Sequence, residues 1–371
     1  MKIIKILVFL IVMSLNLNVK AFAECAISAK SAVVIDSVSR EVLFEKDAHT
    51  KRGMASTTKI MTALIALEML DGKDIVSISS FASGTEGSSI WLSAGEKMSV
   101  ENLLYGLMLS SGNDAATALA EHTSGSVEAF TQLMNLKAKD FGCTNTNFTN
   151  PHGLPDENHY TTAYELAIIS SYAMENDSFC EIVRTKNKQI PWEGHEWNRS
   201  LQNHNKLLKM KDYFTGIKTG YTKKDGRCLV SSAESDGRKI IIVTLSAPDD
   251  WNDHIRLSEF VFDKYKPYKL VKEGDRAVVK TDPSKRFGDI HTVYAEDLTL
   301  TLKEGNHDKI TSKTEFSINF PVKRGDRVGK CRFFYQDRMI AAVDIIADNN
   351  SVYKNDFFTV FKELAKGLVY R

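Results

Sequence analysis

Ser56-Thr57-Thr58-Lys59 stands at the start of the first strong helical pattern in the chain. Residues three apart on a helix are neighbours on one face, one turn apart. A serine hydroxyl is a poor nucleophile until a base takes its proton, and Lys59 is placed to do so if burial or nearby cations depress its pKa. The helix N-terminus adds partial positive charge that favours a developing anion. The spacing alone is weak evidence, because Ser351-Val352-Tyr353-Lys354 has it with no comparable helix behind it. Two further clusters carry the argument. Ser111-Gly112-Asn113, between two apolar helical runs, offers a second hydroxyl for proton transfer and an amide to hold a peptide carbonyl; Ser and Asn with Gly also serve as helix caps. Lys218-Thr219-Gly220 lies in a strand-like run, with Lys218 and Gly220 on one face and Thr219 on the other. A glycine inside a strand marks close approach by a ligand or another backbone.

The elements that must position these residues follow from the pattern. Ala32–Asp36 and Glu41–Glu45 flank Ser37-Val38-Ser39-Arg40 and read as a β-hairpin. Ile60, Leu64, Leu67 and Met69 recur at near-helical spacing within Thr57–Leu70. Helical patterns return at Val100–Leu109, Ala115–His122, Val127–Phe141 and Thr162–Met174. Then Phe214–Gly220, Arg227–Ser232 and Lys239–Leu245 are strand-like, with Ser235-Asp236-Gly237-Arg238 as a turn. Strands, a helical block and strands again predict an α+β fold. Its antiparallel sheet has first and last strands as neighbours and helices packed on it. Beyond Tyr265-Lys266-Pro267-Tyr268, short alternating segments and Gly-Asp turns predict a small all-β domain, followed by a helix with Phe357, Phe361, Leu364 and Leu368 on one stripe and Lys362, Lys366 and Arg371 off it. Such a helix suits a membrane surface, or docks on its own β domain. The expected division is 24–266 catalytic, 267–352 β-rich and 353–371 amphipathic helix.

Composition narrows the class. The chain has 371 residues, too many for one ordinary domain, and 43% hydrophobic with 26% charged residues is globular. Forty-eight basic against 47 acidic residues excludes an electrostatic nucleic-acid binder. Lys2 and Lys5, the apolar run Ile6 to Leu17 and Ala21-Phe22-Ala23 predict a signal peptide over 1–23 and an exported chain. Removing Lys2, Lys5 and Lys20 leaves 45 basic residues against 47 acidic. Glu24 before Cys25 argues against lipidation there. Five scattered cysteines (Cys25, Cys143, Cys180, Cys228, Cys331) leave at least one thiol unpaired within the chain and show no metal-binding spacing.

Taken in order, the three motifs resemble those of the penicillin-recognising serine enzymes. Ala55-Ser56-Thr57-Thr58-Lys59-Ile60-Met61-Thr62-Ala63, Asn150-Pro151-His152-Gly153-Leu154 and Gly216-Ile217-Lys218-Thr219-Gly220-Tyr221-Thr222 are similar to the D-alanyl-D-alanine carboxypeptidases. These are low-molecular-mass penicillin-binding proteins of the serine peptidase class. The likeness spans the chain after residue 23, since that family also carries a β-rich second domain and an amphipathic terminal helix. It implies that Ser56 attacks the penultimate D-Ala carbonyl of a peptidoglycan stem peptide, with Lys59 as base and Ser111 as proton relay. It further implies that Asn113 binds the peptide backbone, that Lys218 and Thr219 serve the substrate carboxylate, and that the N–H groups of Ser56 and Tyr221, beside Gly220, form the oxyanion hole. The implied partners are stem peptides ending in D-Ala-D-Ala, β-lactams as covalent inhibitors and a membrane surface, with no metal or organic cofactor. The protein would act outside the cytoplasm, on the outer face of the membrane or secreted, in wall biogenesis and cell shape. One departure matters. Asn203-His204-Asn205 puts a histidine where some members have a carboxylate-binding arginine, so that carboxylate recognition becomes pH-sensitive. His152 either supports the active-site loop or belongs to a tight turn.

Two other functions share parts of this pattern. A class A β-lactamase carries Ser-Asp-Asn and a separate deacylating glutamate; here Gly112 takes the middle position and Glu165 sits in a helical pattern. A β-lactam sensor or wall-binding scaffold has usually lost a nucleophile or base, and Ser56, Lys59, Ser111 and Lys218 are all present.

Overall fold

The computed structural model describes residues 25–284 and 286–351, together with Phe361. The expected signal peptide and nearly all of the expected terminal helix lie outside the described residues.

The first strands are Ser31–Asp36 (β1) and Val42–Lys46 (β2), the expected hairpin. A 3₁₀ turn, Ala55–Thr58, leads into the helix Lys59–Met69 (α1). Ser56 therefore sits in the tight turn before the α-helix and Lys59 opens it. Eight consecutive residues of α1, Lys59 to Ala66, are buried, which is the state of a helix surrounded by others. Ser80–Ser83 (α2) packs on Asn113–Ser124 (α4), and around α1 pack Val100–Leu109 (α3), α4, Val127–Asp140 (α5), Ala163–Ala173 (α6) and Asp177–Arg184 (α7). Two small hairpins, Ile75–Ser77 (β3) with Lys97–Ser99 (β4) and Asn187–Ile190 (β5) with Arg199–Gln202 (β6), border this block. After the short helix Leu207–Met210 (α8) come Phe214–Thr222 (β7), Gly226–Ser235 (β8) and Arg238–Leu245 (β9). The antiparallel sheet runs β2-β1-β9-β8-β7, so the first and last strands of this unit are neighbours, as expected.

Both faces of this sheet are covered, which explains its nearly continuous apolar runs. Val33 and Ile35 of β1, Val230 of β8 and Ile241 and Val243 of β9 pack with the helical block. Ala32, Val34, Leu229, Ile240 and Ile242 pack on the opposite side. There they meet the helix Asp250–Lys264 (α9), through Leu257 and Val261. Its apolar period is broken by polar residues that are nevertheless buried. Asp253 accepts from the N–H groups of Ser28 and Ala29, and His254 bonds Ser231 and Thr244 across the sheet. Hydrophobic periodicity alone therefore passed over α9.

The chain then builds the β-rich unit. Pro267–Val271 (β10) pairs with Leu298–Thr301 (β13), and a second five-stranded sheet follows. It is ordered Arg276–Lys280 (β11), Ile290–Tyr294 (β12), Arg338–Ala347 (β16), Arg327–Tyr335 (β15) and Ile310–Phe316 (β14). Its own core contains Ile290, Leu300, Val328, Phe333 and Ile345. The β1–β2 turn joins the units. Asp36 accepts from the Thr301 N–H at 2.7 Å, and Arg338 donates to the Ser39 carbonyl.

Candidate active site

Ala55, with φ of 46°, bends the backbone so that the Ser56 turn can start. The hydroxyls of Thr57 and Thr58 donate to the carbonyls of Met54 and Ala55 at 2.6 and 2.8 Å. Because the Thr58 hydroxyl has its proton on Ala55, it accepts from His159 Nε2 at 2.8 Å. His159 Nδ1 accepts from the Thr149 N–H at 3.1 Å, which fixes the same tautomer. Burial above all lowers His159 to about 4, so the neutral ring that this chain of bonds requires persists at physiological pH. His159 and Thr149 were not singled out by sequence reasoning; nothing in their spacing marks them.

Lys59 is wholly buried. Its Nζ lies 3.0 Å from Ser56 Oγ, 2.7 Å from Asn113 Oδ1 and 2.6 Å from the His152 carbonyl. The last two are acceptors with no proton to give. A neutral amine has two N–H bonds and one lone pair; with both N–H groups on those oxygens, the lone pair faces the Ser56 hydroxyl. Burial, then the neighbouring charge of Lys218, holds the Lys59 pKa well below its ordinary value and favours this neutral form.

The loop Asn150–Leu154 supplies one of those oxygens. Gly153 has φ of 91°, and a Cβ there would fall 1.9 Å from the Ala55 carbonyl, so only glycine lets the loop lie on the Ser56 turn. Thr62 Oγ1 donates to the Pro151 carbonyl at 2.6 Å. His152 contributes its carbonyl, while its ring Nδ1 accepts from the Leu154 N–H at 3.2 Å. Burial, then Lys59, lowers that ring to about 3.

Ser111 is buried, has φ of 62° and lines the same cavity as Ser56. Asn113 opens α4 and is fully engaged through its oxygen to Lys59, while its Nδ2 donates to the Glu86 carbonyl at 2.6 Å. One amide proton of Nδ2 is left for another acceptor.

On β7, Lys218 and Gly220 face inward and Tyr221 outward. A Cβ on Gly220 would stand 2.9 Å from the Ser56 nitrogen and 3.1 Å from that of Thr57. The close approach expected of this glycine is thus to the nucleophile's own backbone. Lys218 is buried, donates to the Thr219 carbonyl at 3.0 Å and is lowered to about 7 by burial. Ser56, Ser111, His204, Thr219, Gly220 and Tyr221 line one cavity of about 310 Å³. His204 stays exposed at its rim; partial enclosure, then the charge of Lys218, moves its pKa down. Ser88, Trp251 and Arg227, tied to Asp250 at 2.9 Å, complete the lining. Arg227 was missed in the sequence, although it pairs with Tyr221 across the β7–β8 turn.

Cavities of about 530 Å³ and 650 Å³ elsewhere are larger. Neither brings a hydroxyl against a buried base, so chemistry and not size selects the cleft. Glu165 lies along the 650 Å³ cavity, where its carboxylate accepts from the Asn145 N–H and the Thr146 hydroxyl. All five cysteines are free thiols, and the described residues hold no cluster of three metal-ligating side chains.

Residues 18–249 match the D-alanyl-D-alanine carboxypeptidase family model, and residues 265–353 match the C-terminal domain of penicillin-binding protein 5. The chain is 35% identical to the D-alanyl-D-alanine carboxypeptidase DacF of Bacillus subtilis over 92% of its own length and 90% of that protein. It is 36% identical to DacA of Escherichia coli, covering 86% of this chain and 83% of the other. Among solved structures, the D-alanyl-D-alanine carboxypeptidase DacD of Francisella tularensis aligns with a TM-score of 0.64 at 28% identity, over 90% of this chain and 95% of that one.

Proposed function

This chain belongs to the D-alanyl-D-alanine carboxypeptidase family of serine-type peptidases, and we propose that Ser56 is the nucleophile with which it removes the terminal D-alanine of peptidoglycan stem peptides. The observation that carries the assignment is Lys59, buried on two acceptor oxygens with its third position 3.0 Å from Ser56 Oγ. Lys59 takes the Ser56 proton as Oγ bonds the penultimate D-Ala carbonyl carbon. The N–H groups of Ser56 and Tyr221 hold the oxyanion. Removing one such donor costs about 3 kcal/mol of barrier in a serine peptidase. Ser111 relays the proton to the departing amine, and water then hydrolyses the acyl-enzyme. The free amide proton of Asn113 binds the peptide backbone. Lys218, Thr219 and His204 receive the terminal carboxylate, with His204 charged only below its lowered pKa.

Release of D-alanine from diacetyl-lysyl-D-Ala-D-Ala, lost in Ser56→Ala, tests the assignment. Unchanged release by that variant would overturn it. The β-lactamase reading loses its support because Glu165, engaged by Asn145 and Thr146, is committed away from Ser56. The sensor and scaffold readings leave the Ser56–Lys59 contact without a use.

The division into 24–266, 267–352 and 353–371, export by residues 1–23 and surface attachment by the last segment belong to the same proposal. They are supported by the amino-terminal charge and apolar pattern and by the Phe357–Leu368 stripe. Truncation before Asn355 is expected to release the protein from membranes; continued sedimentation with them would end the anchoring idea.

A further inference from the structure

The cavity of about 650 Å³ lies away from the cleft, where the β1–β2 turn and α6 face the β-rich unit. Its volume is that of a small-molecule site. Arg40, Glu41, Tyr164 and Tyr172 line it from the first unit, and Lys303 and Arg338 from the second. One wall is fixed in place. Tyr172 stacks on Phe141 with ring centroids 3.9 Å apart, and the Arg40 guanidinium stands 3.4 Å from the Tyr172 centroid. Arg40 in turn donates to Ser171 Oγ at 2.8 Å and to Glu175 at 2.6 Å.

Two charge-bearing side chains reach this cavity incompletely paired. Glu41 is only 7% exposed. Its Oε1 accepts from the Lys303 N–H at 3.3 Å and from the Asn306 amide. Its Oε2 is buried and has no hydrogen-bond partner among the described residues. The Tyr335 hydroxyl stands near, pushed up to about 12 by burial and then by the Glu41 carboxylate, without bonding Oε2. Arg338 comes from the other unit. Its Nη2 donates to the Ser39 carbonyl, whereas its Nη1 is buried and equally unpartnered among the described residues. Burial, and then the like charge of Arg40, moves the Arg338 pKa down. One orphan is thus an acceptor on a carboxylate and the other a donor on a guanidinium, and they do not satisfy each other. A buried charge without a partner is costly, and a native fold keeps one where a further group supplies that partner. Water can bond such atoms but neutralises neither charge. A zwitterion offers an ammonium to the one and a carboxylate to the other. Arg40 and Lys303 favour further carboxylates, and the rings of Tyr164 and Tyr172 suit methylene groups between them.

We propose that this cavity binds a short zwitterionic peptide across the two units, with an ammonium group on Glu41 Oε2 and a carboxylate on Arg338 Nη1. A stem peptide already shortened at Ser56 has this chemistry, because its diamino acid carries a free amine and its chain ends in a carboxylate. That choice of source rests on the Ser56 reading; the pairing of charges does not. Free D-alanine, the other product of the reaction, carries the same two charges without the chain. Since Glu41 and Arg338 belong to different units, the bound peptide ties the β-rich unit to the catalytic one, and the unfolding temperature rises with its concentration.

The test titrates the synthetic tripeptide L-Ala-γ-D-Glu-L-Lys into the full chain by calorimetry, after penicillin has acylated Ser56 and so closed the cleft to the probe. One-to-one binding is expected. Glu41→Gln, Arg338→Gln and acetylation of both amines of the probe are each expected to weaken it at least about tenfold, the worth of a hydrogen bond to a charged group. D-alanine release from diacetyl-lysyl-D-Ala-D-Ala stays within about twofold in both variants, as for distant sites, and shows that they are folded. Where a variant is not folded, the acetylated probe makes the comparison on the wild type. Affinity unchanged by these substitutions and by acetylation overturns the proposal. So does binding that acylation abolishes, because the peptide then sits in the Ser56 cleft. Absence of binding overturns it and leaves the two atoms to water, and D-alanine binding as tightly as the tripeptide overturns the peptide as ligand. A chain that penicillin does not acylate counts against the Ser56 reading alone; the two variants and the acetylated probe then decide the cavity by themselves.

Discussion

The described residues form two five-stranded antiparallel sheets that bury different things. The second sheet, β11-β12-β16-β15-β14, covers a core of side chains such as Ile290, Val328, Phe333 and Ile345. The first, β2-β1-β9-β8-β7, is enclosed between the helical block and α9, and there the protein buries charge-bearing groups. Some of them are paired, as Arg199 is with Glu96. Lys59 and Lys218 differ: they rest on neutral oxygens. A buried ammonium without a carboxylate partner is destabilised, and the relief is loss of its proton. An enclosed sheet can therefore make a lysine into a base, whereas a sheet that only packs apolar side chains stabilises its unit and does no chemistry.

The comparison breaks most directly at Lys59. Lys59→Met keeps the aliphatic stem but removes the lone pair, and we expect kcat/KM for D-alanine release to fall by about 10³-fold, within the usual range for a positioned general base. Penicillin acylation rates report the same loss. Retention of more than a tenth of either rate would mean that another group takes the Ser56 proton.

Next in size is Gly220. Its Cβ would stand 2.9 Å from the Ser56 nitrogen, against backbone that cannot swing aside. Gly220→Ala is expected to displace the oxyanion donor and lower kcat by about 10²-fold. The melting temperature separates this from unfolding. A variant of normal kcat would show that the turn yields without cost to catalysis.

Lys218 sharpens the contrast through pH. Its pKa is lowered to about 7 by burial. The free enzyme therefore loses this cation as pH rises through 7, and KM for a carboxylate-ended peptide is expected to rise by up to about tenfold per pH unit above it. Bound carboxylate favours the charged form, so the effect belongs to kcat/KM and is weaker in kcat. A KM that is flat from pH 6.5 to 8.5 would remove Lys218 from carboxylate recognition.

These residues also mark what the sequence could disclose. The β1–β2 hairpin, α1, α3 and β7–β9 were legible because two covered sheet faces and an enclosed helix leave long apolar runs. Ser56, Lys59, Ser111, Asn113 and Lys218 were legible as short motifs; Lys59 meets Ser56 and Asn113, and Ser56 and Ser111 line one cavity. The helix α9 was not, because Asp253, His254 and Ser258 interrupt its apolar stripe with groups whose partners lie far away in sequence. His159 and Arg227 escaped for a related reason. Each acts through one long-range contact, His159 on Thr58 and Arg227 on Asp250, and no local period records such a contact.

The smallest effect on catalysis is expected from the second sheet itself. Ile345 is completely buried in its core. Ile345→Ala removes three buried carbons and leaves a cavity, a change that costs about 2–5 kcal/mol of stability in comparable cores. That loss is available to calorimetry or denaturant unfolding of the β-rich unit. Catalysis has little route by which to feel it. The unit touches the first sheet at the β1–β2 turn, through Thr301 on Asp36 and Arg338 on the Ser39 carbonyl, and at the β8–β9 turn, where Thr299 lies against Gly237. In the strand order, β8 still stands between β9 and the β7 strand that carries Lys218 and Gly220, and both β9 and β8 stand between β1 and β7. We therefore expect kcat/KM for the small peptide to stay within about twofold of wild type at temperatures where the variant remains folded, as for distant independent sites. A tenfold fall, in protein whose penicillin uptake is stoichiometric, would show that the second sheet reaches the cleft through Asp36 or through the β8–β9 turn. The separation between a sheet that does chemistry and one that only packs would then fail at the contacts between the two units.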